Sequence, residues 1–317
     1  MGESEERTFQ AADAAQAPLG TAFWIQAGLL ILLTGVLYCR IVPNLIAEWW
    51  TNPNYSHGFL VPLFSAFVVW QNRKRLSAIP IEPSWLGLAA VAVSLGILIV
   101  GQLGAEFFLT RASLLFLLGG LVIYFLGWRH FRASLFPWVF LFFMIPIPVI
   151  IFNQIAFPLQ FMAARMASDL LSLLGIPVLR DGNIIQLPVM SLEVAEACSG
   201  IRSLMSLGAL AVIYGYFMET RNLPRILLAL SAIPIAVIAN AFRIVGTGLM
   251  GSYWSPDKAE GFFHEFSGWV IFVISLGLLL LVHGVIRWCT PRLTRSKGGP
   301  NSPASSPDSG RGGEVKP

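Results

Sequence analysis

The stretch EVAEACSGIRSL, residues 193–204, places a thiol, Cys198, four residues before a guanidinium, Arg202, where an acidic segment runs into an apolar one. Residues four apart in a helix share a face about one turn apart, so the cation can favour the thiolate. A free thiol titrates near about 8.5 and is mostly protonated at neutral pH; a neighbouring cation or a helix N-terminus turns it into a nucleophile. A cysteine at a helix start can equally be a small packed hydrophobe, and CSG alone does not choose between the two.

Two further segments carry chemistry. In IANAFRIVGTG, Asn240 and Arg243 lie three apart on one helix face, deep in an apolar run. They either bridge neighbouring helices or form a fixed cation site for a carboxylate, a thiolate or a developing oxyanion. In GFFHEFSGW, His264 opens the last apolar stretch, as an interfacial residue or as the base that takes a thiol proton and returns it to a leaving amine. His57, in NPNYSHGF, is a second candidate for that face, whereas His130 and His283 fall toward the other one. Arg40, near a helix end, reads as a snorkelling side chain. The four histidines have no metal-ligand spacing, so neither a metal nor an organic cofactor is expected.

The elements that must position these groups belong to a membrane. Of 317 residues, 56% are hydrophobic and only 12% charged, against about 25% charged in a soluble domain. Several apolar runs approach or exceed the roughly 20 residues needed to cross the hydrocarbon. The pattern predicts an all-α polytopic bundle of about eight helices, at 22–42, 58–70, 85–103, 112–126, 134–151, 201–217, 226–250 and 266–286. Alternate connections hold eleven Lys and Arg, in RKR, WRHFR, TRNLPR and RWCTPRLTRSK; the opposite ones hold only Arg111, Arg165, Arg180 and Lys258. The rule that cytoplasmic loops carry the basic excess puts both termini in the cytoplasm and Cys198, Arg243 and His264 on the outer side.

The net charge of +4 is spread in short clusters without aromatic platforms, which argues against nucleic acid. Cys39, Cys198 and Cys289 are too few and scattered for a disulfide framework. The acidic start MGESEER is unlike a secretory signal, so the first apolar run reads as a retained helix. On the outer side the long connection 152–200 predicts an amphipathic helix over 158–174, then a small hairpin around Asp181-Gly182. After Lys297 the Gly, Pro and Ser content predicts disorder.

Taken together, NYSHGFLVPLFSAFVVWQNR, MIPIP, GNIIQLP, LEVAEACSGIRSL, NAFRIVGTG and HEFSGW resemble segments of the bacterial exosortases, members of the exosortase/archaeosortase family. The resemblance implies a sortase-like membrane cysteine transpeptidase, with its catalytic groups falling on Cys198, Arg243 and His264. It implies substrates that are exported proteins ending in a Pro-Glu-Pro motif, a transmembrane helix and a basic cluster, and a setting beside exopolysaccharide genes in the inner membrane. The expected organisation is a cytoplasmic tail over 1–21, an exosortase-like transmembrane domain over 22–288 and a disordered cytoplasmic tail over 289–317. Arg202, Asn240 and His57 are the expected substrate-binding residues. A transporter or lipid flippase with an anion site at Arg243 and Asn240 is the competing reading, supported by the helix-breaking IPIP and GTG.

Overall fold

The computed structural model describes residues 21–194, 201–253 and 262–295. The expected N-terminal tail and the segment after Lys297 lie outside the described residues, as does Cys198.

The chain is an all-α polytopic bundle carrying one small sheet. Among the described residues, six helices are long and apolar enough to cross a membrane, or seven if the bent pair Ile25–Leu37 and Ile41–Thr51 (57°) forms one span. In chain order the described α-helices are α1 (Thr21–Leu37), α2 (Ile41–Thr51), α3 (Leu60–Gln71), α4 (Arg73–Ser77), α5 (Trp85–Leu103), α6 (Phe107–Phe125), α7 (Trp128–Ala133), α8 (Leu135–Phe140), α9 (Val149–Leu173), α10 (Ile201–Met218), α11 (Asn222–Tyr253) and α12 (Phe262–Arg295). The last helix runs helically to Arg295, beyond the end expected for the transmembrane domain.

Three expected helices are built differently from the sequence reading. The first run bends at residues 38–40 instead of continuing to Val42. The second is a composite, a 3₁₀ helix Pro53–Phe59 feeding α3. Its two ends bind the two ends of α10: Arg202 Nε donates to Asn54 Oδ1 (3.2 Å), and Asn72 Nδ2 donates to the Tyr216 hydroxyl (3.1 Å). So this composite runs the depth of the bundle beside α10.

The third difference is the largest. The expected span 134–151 is not one helix: α8 passes into a 3₁₀ turn, Leu141–Met144, and stops at IPIP. Ile145 is extended (φ −90°, ψ 123°) because the following proline disfavours the α region. The carbonyls freed at the break are satisfied from elsewhere, since Trp49 Nε1 donates to Met144 (2.8 Å) and His57 Nε2 lies 3.1 Å from the Phe143 carbonyl. After the break α9 runs for 25 residues from Val149, with Pro158 inside it. The amphipathic helix expected over 158–174 is therefore the C-terminal part of a longer helix. Its Ala163, Ala164 and Ala167 are fully buried against Ile244 and Val245 of α11, small residues allowing a close approach.

The expected hairpin is present and gains a strand. β1 (Leu179–Asp181), β2 (Ile184–Gln186) and β3 (Ser191–Glu193) form an antiparallel sheet in that order. Gly182 has φ +62°, as the first residue of a two-residue turn between Asp181 and Ile184 requires. Ile185 is fully buried in the cluster that joins the sheet to α9 and α11.

Arg111 of α6 pairs with Glu48 of α2, their side chains 7% and 29% exposed, and its guanidinium stands 5.7 Å over the Phe107 ring. Removing the acid strands a buried cation, whereas removing the arginine leaves an acid that water still reaches. Glu48→Gln is therefore expected to destabilise the protein by about 3 kcal/mol and Arg111→Met by less. Thermal unfolding in detergent tests this; an equal loss from both variants contradicts it.

Candidate active site

α11 sets the depth scale. It is one unbroken helix of 32 residues, about 48 Å long at 1.5 Å per residue. That exceeds the roughly 30 Å of hydrocarbon. α10 packs against a little over its first half, with Leu207 and Ala211 meeting Leu228, Ala232 and Ile235. A Cβ on Gly215 would lie 3.6 Å from the Arg225 Cα, which fixes the register of the antiparallel pair. Counting equal rises outward from that contact brings Ile201 level with Ala239. Asn240 therefore stands at the height where α10 begins, and Arg243 one turn beyond it. That is the height at which the segment 195–200, with Cys198, must join α10.

Both ends of that segment are held. Val194 N donates to the Asn183 carbonyl (2.9 Å), and Asn183 Nδ2 donates to the Val194 carbonyl (3.3 Å), tying the exit of β3 to the hairpin. Ile201, 1% exposed, packs with Phe152 and Ala156 of α9. Arg202, one residue later, is exposed and turned to Asn54.

Arg243 is half-buried and faces α12. A Cβ placed on Gly268 would come 3.8 Å from its Nη2 and 3.9 Å from its Cζ, so the guanidinium lies over bare backbone. His264 occupies the position one turn before Gly268 on α12, and positions four apart in a helix share a face. Its side chain lies outside the described residues, like that of Cys198. Asn240 is 3% exposed.

The structure thus brings the Arg243 guanidinium against the helix that carries His264, about one turn beyond the height at which α10 begins. It groups the other expected residues differently. His57 sits in the 3₁₀ helix whose Asn54 meets Arg202, but its ring is 8% exposed. Because a carbonyl only accepts, Nε2 carries the proton toward Phe143, and Nδ1 is buried without a hydrogen-bond partner. His57 therefore supports the IPIP break, a packing role that the sequence did not disclose. Gly58 beside it has no alternative, since a Cβ there would fall 2.5 Å from the Trp49 ring.

Among the described residues no cluster of three or more His, Cys, Asp or Glu side chains is placed to hold a metal. At the opposite end of α12, His283 Nε2 donates to Glu219 (2.8 Å), Nδ1 meets the Tyr214 hydroxyl (2.9 Å) and Arg287 lies 3.8 Å from the same carboxylate. This polar knot, with α10 and α12 as its two sides, ties the far end of the bundle and was not anticipated from the sequence.

The transmembrane exosortase family matches residues 49–281. The chain belongs to that family. The match spans the 3₁₀ helix, the sheet, the Cys198 segment, Arg243 and His264 in one continuous region. No curated protein and no solved structure gave a significant match. Exosortases are membrane-embedded cysteine transpeptidases with a sorting role, acting on exported proteins that carry C-terminal sorting signals. Family membership favours this reading over a transporter.

Proposed function

We propose that this exosortase cleaves C-terminal signals of the Pro-Glu-Pro type at the periplasmic face of the bacterial inner membrane and transfers the shortened protein to an acceptor. The observation that carries the reading is the seat of Arg243, over Gly268 and one turn from His264, at the depth where the Cys198 segment enters α10.

Cys198 attacks the scissile carbonyl carbon as a thiolate, its proton having passed to His264. The tetrahedral oxyanion forms beside Arg243, whose planar guanidinium offers two parallel donors to it. The C–N bond then breaks, His264 returns the proton to the leaving amine, and a thioester joins the substrate to Cys198. An amine, or water, attacks that thioester; the C–S bond breaks and the thiol is restored. The N-terminus of α10, starting at Ile201, favours the thiolate through its dipole.

Recognition divides between two surfaces. Arg202, exposed and linked to Asn54, is placed to pair with the acidic residue of the signal. The exposed strand β1 offers an edge to which an extended proline-containing motif adds as a further strand. The substrate's own helix packs beside the bundle.

Co-expression with a tagged protein carrying such a signal tests the proposal. The expected result is a tagged product whose mass places its new C-terminus at the motif, as a free acid or with an attached amine; an intact C-terminus overturns it. The orientation has its own test. In sealed cells, with the exposed Cys39 replaced by Ser, a membrane-impermeant maleimide is expected to label Cys198 and to reach the exposed Cys289 only after lysis. Equal labelling of both before lysis contradicts the periplasmic placement.

A further inference from the structure

An elongated apolar groove of about 730 Å³ runs along the membrane face of the bundle between α3, α6 and α8. Its wall passes from Pro62 through Ala66 and Val69 on α3 to Arg73 at the start of α4, and from Leu118 to His130 on the opposite side. Pro62 and Arg73 are eleven residues apart, about 16 Å at helical rise, roughly half the thickness of the hydrocarbon. The groove therefore serves one leaflet.

Its two ends differ chemically. The Pro62 end is apolar. The other end is lined by Arg73 and His130, whose chain neighbours Lys74, Arg75, Arg129 and Arg132 add positive charge, and Arg129 pairs with Glu82 (3.1 Å). Arg73 stacks 4.3 Å over Trp70 and spends one N–H on the Trp70 carbonyl (2.9 Å), leaving the rest of its fork toward the groove mouth. His130 Nδ1 is engaged by the Leu126 carbonyl (2.9 Å) and the Trp138 indole N–H by the Leu115 carbonyl (2.7 Å), so the wall's polar groups there are internally matched.

We infer that this groove is a binding site for an anionic phospholipid, with one acyl chain lying along α3 and the phosphate held at the Arg73 end. A substrate helix fits it poorly, because a helix ending in a basic cluster would bring like charges together at the Arg73 end. An anionic headgroup is attracted there, and each interfacial Lys or Arg strengthens that attraction.

Native mass spectrometry of the delipidated full-length protein, titrated with phosphatidylglycerol and phosphatidylcholine of identical acyl chains, tests the site. The expected result is one phosphatidylglycerol retained per chain at about tenfold lower concentration than phosphatidylcholine. Arg73→Glu is expected to erase the headgroup preference while phosphatidylcholine still binds. Ala66→Phe, or Val69→Phe should the first fail to fold, is expected to fill the groove and abolish retention of both lipids. Equal binding of the two lipids, retention that survives both filling variants, or displacement by an apolar helical peptide with a basic C-terminus overturns the inference.

Discussion

Cys198→Ser is expected to abolish release of the substrate's C-terminal fragment, by at least about 10⁴-fold, while leaving the protein folded. The substitution exchanges sulfur for oxygen at nearly constant volume, and the flanking residues Val194 and Ile201 are held by their own hydrogen bonds and packing. The loss is therefore chemical. In the proposed mechanism a thiol of ordinary pKa, about 8.5, gives its proton to an imidazole base; a serine hydroxyl is a far weaker acid, and groups suited to a thiol cannot ionise it. The readout is the mass of a co-expressed tagged substrate, with the thermal stability of the variant as control. A stable variant that still trims its substrate would remove Cys198 from the reaction and with it the thioester mechanism. The same variant separates the two levels of the argument, because loss of trimming with lipid retention unchanged leaves the groove proposal standing.

How far the sequence disclosed the molecule depended on the range of the interactions involved. α5 begins and ends where the apolar run predicts, because its signals are local: Ser84 accepts the Leu86 N–H at the start, and Gly104 follows the last turn. The hairpin at Asp181-Gly182 is local in the same sense. The break at IPIP carried its prolines in plain view, but whether a chain breaks inside a membrane depends on donors for the freed carbonyls. Those donors are Trp49 and His57, nearly a hundred residues upstream. Pro158 misled in the opposite way: it reads as the first turn of a helix, yet sits inside one that starts at Val149. The pair Glu48–Arg111 and the knot at Glu219 and His283 were invisible for a related reason, since neither follows a helical period. The residue types of the proposed site were legible in the sequence. What residue spacing lacked was register, and the contact of Arg243 with Gly268 supplies it.

That contact makes the second large effect specific. Arg243→Lys keeps the positive charge and is nevertheless expected to lower kcat by about 10²- to 10³-fold, the range for loss of an oxyanion donor, with a much smaller change in KM. An ammonium is a compact point charge on a flexible stem, and it cannot present two parallel N–H groups to a developing oxyanion. Gly268 tests whether position matters as well as chemistry. A Cβ there would stand 3.8 and 3.9 Å from the guanidinium, an ordinary contact, so Gly268→Ala is expected to stay near the parent activity. Gly268→Leu sends a branched side chain into the space the guanidinium occupies, and its activity is expected to fall as far as that of the lysine variant, although Arg243 itself is intact. Single-turnover measurement of thioester formation decides the matter. If Gly268→Leu acylates at the parent rate, the guanidinium does not act from this seat, and Arg243 serves only to join α11 to α12.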